Sequence, residues 1–412
     1  MPSIARRNLF EDIPRFLVAQ AGIMFAVSLV TIQTGILAGF TQSTTTLIDN
    51  SSADIWITAA EMEYLELTLP IPAGLVNQAR SLEGVQTAEA LLIRGGIWRS
   101  PDGKIAPVRI IGFDPSGQLF RPGAAIAGSW SALEESYTFV LDKTNLDSLD
   151  IQQLGSSATI GSLPATLVGL TERTQFIASS AYLFTSLRTA NAYATSGLTS
   201  NTRCRLEAGQ LLCSNVYERS PLDIEATEPQ PLNSSDGITY VLVKAEPGQD
   251  IQELKQRLQE TLLGTTAYTT AEIAEITRAY WQRRTGLGFV LGLGAVVGII
   301  VGIVIVGQIL YASVSDHLKE FGTLKAMGAS DWVIYRVIME QALWMAVLGY
   351  IPSMALCLGL GTWTLATQGI MILITPISAA SVFGITVVMC VGSALFAIQK
   401  VTRVDPAIVF KA

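Results

Sequence analysis

Long runs without a charged residue constrain this chain more than any other feature of its sequence. They cover residues 16–40, 285–312 and 341–399. About 20 helical residues cross the hydrocarbon core of a bilayer, so the first two runs each predict one membrane-spanning helix. Composition agrees, because 15% of the residues are charged, whereas a soluble domain has about 25%.

The third run is too long for a single crossing. Gly369 and Pro376 mark a turn inside it, because glycine and proline punctuate regular structure. Two helices are therefore predicted, over 341–366 and 377–399. With the first two runs, the sequence predicts four transmembrane helices.

Charge predicts the orientation of these helices. Residues 1–15, 313–340 and 400–412 hold nine basic and seven acidic residues, so residues 41–284 carry -9 against a chain total of -7. Segments rich in Lys and Arg stay in the cytoplasm. We therefore predict a multi-pass protein of the inner (plasma) membrane, with a cytoplasmic N-terminal segment, loop and tail, and an extracytoplasmic domain over 41–284.

The first run could be either an uncleaved membrane anchor or a cleaved signal peptide. Its apolar stretch over 16–40 is longer than the roughly 7–15 residues of a signal-peptide core. An uncleaved anchor is favoured over a cleaved signal.

Strand and helix patterns alternate within residues 41–284. Strands are predicted at 54–58, 91–98, 108–113, 137–141, 165–170 and 238–243. A helix is predicted over 72–82, and Asp250 is the expected N-cap of a second one. The predicted fold is thus an α-helical membrane protein with a large α+β domain inserted between helices 1 and 2.

Residues 195–236 interrupt this alternation with Ser, Asn, Thr and Pro, and we interpret them as a long, mobile, polar excursion. Cys204 and Cys213 lie within it. In an oxidising compartment these two thiols are predicted to form a disulfide. Two free thiols are the alternative.

Residue types needed for catalysis are scarce. The chain has one histidine, and no G-x-x-x-x-G-K-[ST] loop precedes a helix. A triad, a metal centre and a P-loop are therefore not predicted, and no catalytic or metal-binding residue is assigned. Carboxylates such as Glu61, Glu63 and Glu66 are interpreted as a solvated acidic face. The negative net charge argues against nucleic-acid binding.

Glycines recur at every fourth position of the second predicted helix. Gly294, Gly298 and Gly302 place bare backbone on one face, which permits close helix approach. The sequence does not distinguish packing within one bundle from dimerisation, and glycine is also simply common in membrane helices.

The cytoplasmic loop predicts a short amphipathic helix. Its apolar face is formed by Leu318, Phe321, Leu324 and Met327. Gly328 can end this helix in a left-handed conformation, and Ser330 can cap a following helix that enters the third span. An interfacial anchor is the simpler interpretation, and a docking surface for a cytosolic partner is the more specific one.

This loop resembles the R-E-I-G-x-L-K-A-[IL]-G-A signature of FtsX/MacB-type ABC transporter permeases. The matching residues are Lys319, Glu320, Phe321, Gly322, Thr323, Leu324, Lys325, Ala326, Met327, Gly328 and Ala329. Lys319 replaces the usual Arg and Phe321 the usual Ile, which keeps charge or bulk. Residues 403–410 are similar to the family's terminal R-x-x-P-A segment, and the opening at 5–9 resembles its cytosolic N-terminal helix. Residues 21–23 and 52–56 look most like the cyanobacterial DevC-like subgroup.

The resemblance implies a non-catalytic permease subunit. ATP and Mg would bind a separate cytosolic ABC ATPase, whose stroke reaches residues 319–329, with Glu320 and Lys325 making polar contacts. Expected partners are a second permease copy (homo- or heterodimer), a periplasmic membrane-fusion protein and an outer-membrane channel. Mechanotransmission to the outer domain would export or extract a lipid-like or hydrophobic substrate.

Two other functions are compared with this one. An FtsX-like mechanotransmitter would regulate a cell-wall hydrolase, but such relatives usually have a smaller outer domain. A stand-alone receptor would need a cytoplasmic signalling domain, whereas the longest predicted cytoplasmic segment is the loop at 313–340.

Overall fold

The structure, a computed structural model, divides into two compact units. It describes residues 13–195, 199–207, 210–218, 228–317, 320–323, 327–328 and 330–402. The membrane unit combines Met1–Phe40 with Thr285–Ala412, and the inserted domain is Thr41–Arg284. Within the described part of the chain, four helices are long and apolar enough to cross a membrane. The predicted fold class, four such helices with an α+β domain after the first, is confirmed.

The chain opens with the first membrane helix, α1 (Ile13–Ser43). The inserted domain then contains, in chain order, α2 (Thr46–Asp49), β1 (Ile55–Ala59), β2 (Ile71–Pro72), α3 (Gly74–Arg80), β3 (Val85–Arg99), β4 (Ile105–Phe113), β5 (Ala125–Gly128), β6 (Thr138–Asp142), α4 (Leu146–Leu149), β7 (Ser157–Ile160), β8 (Leu163–Thr171), β9 (Ala181–Ser186), α5 (Leu187–Thr195), β10 (Thr199–Glu207), β11 (Gln210–Glu218), β12 (Gly237–Ile238), β13 (Tyr240–Ala245), α6 (Ile251–Thr261), β14 (Thr265–Thr269) and α7 (Thr270–Thr285).

The first lobe of the inserted domain is a four-stranded antiparallel sheet in the order β14-β1-β13-β3. Helices α3 and α6 cover one face, where Leu75 and Leu254 pack on Ile57 and Val243. The chain order β1-α3-β3 and β13-α6-β14 is that of a split βαβ fold. Asp250 caps α6 as predicted, because its carboxylate accepts the N–H groups of the first turn.

The second lobe is a closed barrel inserted between β3 and β13. Strand β3 pairs with β4, β4 with β9, β9 with β6, β6 with β8, β8 with β7, and β7 again with β3. Closure removes the free edges of a sheet. The barrel interior is apolar and includes Trp98, Ile110, Phe139 and Leu183.

The polar excursion interpreted at 195–236 contains two strands that the sequence did not predict, β10 and β11. Strands β10 and β11 pair along their whole length as an antiparallel hairpin. Their polar composition hid the period-two pattern, whereas the backbone can still form its ladder of hydrogen bonds.

The membrane unit is completed by α8 (Leu287–Asp316), α9 (Asp331–Gln368) and α10 (Pro376–Thr402). Its core joins side chains from all four long helices, among them Ile23, Leu310, Met345 and Met389. Helix α9 ends at Gly369, which adopts φ +66°, a left-handed value that glycine takes at little cost.

Candidate functional site

The candidate coupling segment is residues 319–329, between α8 and α9. Glu320, Phe321, Gly322, Thr323, Met327 and Gly328 belong to the described part. Lys319, Leu324, Lys325, Ala326 and Ala329 lie outside the described residues.

Phe321 anchors this segment to the membrane unit. Its side chain is 3% exposed and lies in the same apolar core as Val314 of α8 and Ile334 of α9. Its N–H donates to the His317 carbonyl at 3.0 Å, which continues the helical path beyond α8. Full burial of a phenylalanine side chain contributes about 1.5–3 kcal/mol. The described part of the segment is therefore held against the bundle through Phe321.

Three described residues of the segment, Glu320, Thr323 and Met327, face outward. Glu320 and Thr323 are exposed, and Met327 is 71% exposed. The sequence placed Met327 on the same apolar helix face as Phe321, and in the structure Phe321 is buried while Met327 is exposed. The Met327 N–H donates to the Thr323 carbonyl, and Gly328 then takes φ +93°, a left-handed value typical of the residue that follows a helix.

Helix α9 begins directly after this turn. Ser330 occupies the predicted N-cap position, but its side chain makes no capping hydrogen bond. Trp332 and Val333 in the first turn are 74% and 44% exposed. An ion pair between Arg15 and Asp316 joins the start of α1 to the end of α8. Among the described residues from 320 to 333, Glu320, Thr323, Met327, Trp332 and Val333 are thus exposed.

The three predicted packing glycines lie against other helices of the same chain. A Cβ atom added at Gly294 would lie 2.6 Å from Gln33 Nε2, and one at Gly298 would lie 3.1 Å from Leu29. At Gly302 it would collide with Met389 Sδ and lie 2.9 Å from Ala26 Cβ. Bare backbone at these positions lets α1 and α10 approach α8.

The cysteines predicted to bond lie opposite each other. Cys204 of β10 is the register partner of Cys213 in β11. Paired residues in antiparallel strands have Cα atoms about 4.5–5.5 Å apart, within the range of about 4.4–6.8 Å that a disulfide spans. The backbone is compatible with the bond, which stays a prediction. Cys357 and Cys390 are free, buried thiols.

A buried polar network in the inserted domain was missed by the sequence analysis. The Glu66 carboxylate accepts hydrogen bonds from the Tyr182 hydroxyl at 2.5 Å and the Ser179 hydroxyl at 2.9 Å. Arg109 Nε lies 2.8 Å from the same carboxylate, but its N–H is not directed along a hydrogen bond. The Glu66 side chain is 5% exposed, so the interpretation of Glu66 as solvated was wrong.

This network changes the chemistry of the tyrosine within it. Burial, followed by the negative charge of Glu66 and the hydrogen bond to it, raises the pKa of Tyr182 well above its ordinary value. Glu61 and Glu63 are exposed as predicted. The partners of Glu66 lie far from it along the chain, and no local pattern announces them.

No group of three or more His, Cys, Asp or Glu side chains that could hold a metal ion occurs among the described residues.

Two family descriptions match this chain. Residues 16–261 match the MacB-like periplasmic core domain, which accounts for more than half of the sequence. Residues 292–406 match the FtsX-like permease C-terminal domain. The two matches cover both units of the structure.

Curated relatives are longer than this chain. A protein of Pseudomonas fluorescens Pf-5 named "Probable export ATP-binding/permease protein" is 22% identical over 233 residues, 56% of this chain and 31% of the relative. "Pyoverdine export ATP-binding/permease protein PvdT" of Pseudomonas syringae pv. syringae B728a is 25% identical over 171 residues, 40% of this chain and 26% of the relative. The chain thus spans less than a third of the length of these relatives.

Solved structures align with about half of the chain. The periplasmic region of MacB from Actinobacillus actinomycetemcomitans is 11% identical and covers 55% of this chain and 92% of its own, with a TM-score of 0.33. The extracellular domain of the noncanonic ABC-type transporter YknZ from Gram-positive bacteria is 10% identical and covers 52% and 98%, also with a TM-score of 0.33.

Proposed function

This chain belongs to the family of ABC transporter permeases with a MacB-like periplasmic core domain and an FtsX-like C-terminal domain, and from that membership we propose how it works. It is the non-catalytic membrane subunit of an ATP-driven transporter, and a separate cytosolic ATPase hydrolyses ATP with Mg. The coupling segment, residues 319–329, receives the ATPase stroke.

One observation carries this proposal. Phe321 is fixed in the core of the membrane unit, whereas Glu320, Thr323 and Met327 are exposed. A partner that pushes on the exposed side chains therefore pushes on a turn anchored to α8 and α9. Such a turn can transmit force because packed cores do not deform continuously.

The proposed orientation follows from this coupling. The N-terminal segment, the coupling segment and the C-terminal tail face the cytoplasm, and Thr41–Arg284 lies outside in the periplasm. The four membrane helices carry the displacement to the inserted domain by mechanotransmission, without catalysis on this chain. The cytoplasmic and periplasmic assignments agree with the distribution of basic residues.

The substrate class rests on the relatives. Among the relatives, PvdT is named for the export of pyoverdine and SyfD for the probable export of syringafactin. The long runs at 16–40, 285–312 and 341–399 hold no charged residue, which agrees with a lipid-like or hydrophobic substrate that is exported or extracted. A second permease copy, a membrane-fusion protein and an outer-membrane channel complete the proposed assembly.

Co-purification tests the ATPase partner. Tagged protein in mild detergent is expected to retain a stoichiometric P-loop ATPase and its ATP hydrolysis, and Leu324→Asp should abolish that association. A stable complex without an ATPase would contradict the proposal.

A pair of glycine substitutions tests the coupling turn more sharply. Gly328 (φ +93°) and Gly264 (φ +79°) both adopt left-handed conformations, and an added Cβ would meet nothing within 4 Å at either. Ala therefore introduces the same backbone strain, about 1–2 kcal/mol. Gly328→Ala should reduce substrate-stimulated ATP hydrolysis, and Gly264→Ala, in the inserted domain, should not. Equal loss in both variants would indicate general destabilisation and refute a specific role for the turn.

A further inference from the structure

Two loops of the inserted domain are fixed to the end of α7 by aromatic contacts. The Tyr64 ring stacks on Tyr280 with centroids 4.3 Å apart, and Phe176 packs edge-on against Trp281 at 4.8 Å. Tyr64 also contacts Trp281 edge-on at 5.4 Å. The loops that carry Tyr64 and Phe176 therefore lie beside the last turns of α7.

Apolar side chains project from both loops. Leu67, whose N–H donates to the Tyr64 carbonyl at 2.9 Å, is 50% exposed, and Ile177, next to Phe176, is 47% exposed. Each of these two loops thus exposes an aliphatic side chain beside the last turns of α7.

Cations follow immediately along the chain. Arg283 and Arg284 form the basic last turn of α7; both are exposed, and neither forms an ion pair within the part of the chain that the structure describes. We call Leu67, Ile177, Arg283 and Arg284 the α7 patch. It combines aliphatic tips with two guanidinium groups.

Chain connectivity places these arginines near a membrane. Thr285 and Gly286 alone separate Arg284 from Leu287, where the candidate membrane span α8 begins. An extended chain covers at most about 3.6 Å per residue, so Arg284 lies within roughly 11 Å of that span. The polar headgroup layer on each side of a bilayer is about 5–7 Å thick. Arg283 and Arg284 are thus within reach of phospholipid phosphates.

We propose that the α7 patch is a phospholipid-binding surface through which the inserted domain docks on the bilayer. The guanidinium groups bind phosphate oxygens with paired hydrogen bonds, and Leu67 and Ile177 enter the boundary between headgroups and acyl chains. Tyr280 and Trp281 supply the aromatic rings typical of that boundary.

The loop that carries Leu67 also carries two exposed negative charges, which affect how the arginines attract phosphate. Glu61 and Glu63 are exposed and offset the two arginines in net charge. Directed guanidinium–phosphate hydrogen bonds, rather than the overall electrostatic field, therefore select the ligand. Lysine at positions 283 and 284 retains the charge but loses the planar pair of donors.

A matched pair of probes tests this docking in the full chain. Ile177→Cys and Ile105→Cys each carry an environment-sensitive fluorophore, in a chain where Cys204 and Cys213 are Ser. Ile105, 63% exposed in the barrel, is not part of the α7 patch and serves as the control. The protein is placed in phosphatidylcholine nanodiscs that contain lipids with a nitroxide near the headgroup.

The probe at 177 is expected to be quenched and the probe at 105 not. R283Q/R284Q removes the charge-assisted hydrogen bonds to phosphate and should reduce quenching at 177 by about half or more, and the corresponding double lysine variant should give an intermediate value. Equal quenching at 177 and 105, or quenching at 177 that R283Q/R284Q leaves unchanged, would overturn the proposal. Because all four patch residues are exposed, thermal unfolding should be unaffected. The binding needs no ATPase, so this test is independent of the coupling experiment.

Discussion

Removal of the Glu66 carboxylate should destabilise the inserted domain more than removal of the carboxylate of Glu61 or Glu63 in the same loop. Glu66 is 5% exposed and accepts two hydrogen bonds from hydroxyls while facing the Arg109 guanidinium. Breaking a buried charge pair by deleting one partner costs about 3–5 kcal/mol. The Arg109 side chain is 26% exposed and can regain some hydration, so the lower end, about 3 kcal/mol, is expected for Glu66→Ala.

That free energy converts into a measurable melting shift. For a domain of this size, 1 kcal/mol lowers Tm by about 2–4 °C, so Glu66→Ala should lower it by roughly 6–12 °C. Tyr182→Phe removes one of the hydrogen bonds to a charged group and should cost about 1.5–3 kcal/mol. Tryptophan fluorescence of the detergent-solubilised chain follows this unfolding, because Trp281 contacts Phe176, close to Ser179 in the chain.

The control is Glu63→Ala in the same loop. Glu63 is exposed, and such substitutions usually change stability by less than about 0.5 kcal/mol. The order of destabilisation should be Glu66→Ala, then Tyr182→Phe, then Glu63→Ala. If Glu66→Ala melts within about 2 °C of Glu63→Ala, the buried Glu66 carboxylate does not stabilise the inserted domain, which contradicts the prediction.

Three further outcomes are expected. Gly302→Ala should lower the stability of the detergent-solubilised protein by about 1–3 kcal/mol, because the added Cβ would meet Met389 and Ala26. The control is Gly292→Ala, whose Cβ would meet nothing within 4 Å. After heating, the size-exclusion profile of the control should be unchanged. Asp250→Ala should cost about 1 kcal/mol in urea unfolding through loss of the α6 cap, and Ser330→Ala, whose side chain makes no capping bond, should cost less than about 0.5 kcal/mol. The folded-state pKa of Tyr182 is raised, so its contribution to folding stability should be complete below about pH 10 and should fall as pH rises further. Tyr182→Phe should therefore reduce the decrease of Tm with pH in this range. An unchanged decrease would contradict the burial of Tyr182.

The membrane helices and part of the inserted domain were predictable because their signals are local. Charge-free runs predicted the four long apolar helices, and the strands predicted at 91–98 and 108–113 lie within β3 and β4. Both strands are longer than predicted. Strand β3 begins at Val85 because its first half pairs with β13, a partner that no local pattern reveals.

Long-range pairing explains the misses. Strands β7 and β9 complete the barrel through pairing with distant segments, and β9 was not predicted although all of its residues are buried. The same holds for Glu66, whose partners come from β4 and β9 and the loop before β9. In the coupling segment, spacing placed Phe321 and Met327 on one apolar face but did not distinguish the buried Phe321 from the exposed Met327.

Strand β3 runs through both lobes of the inserted domain without a break, since residues 85–91 pair with β13 and residues 92–99 with β4. The two lobes are therefore joined by one continuous strand and not by a flexible linker. A rotation of one lobe against the other would strain the backbone hydrogen bonds on both sides of residue 91. A force applied to the first sheet must therefore move the barrel or break these hydrogen bonds. A chimera that exchanges barrels between relatives must cut this strand in half, and its junction has to preserve the inward and outward alternation of every side chain that follows.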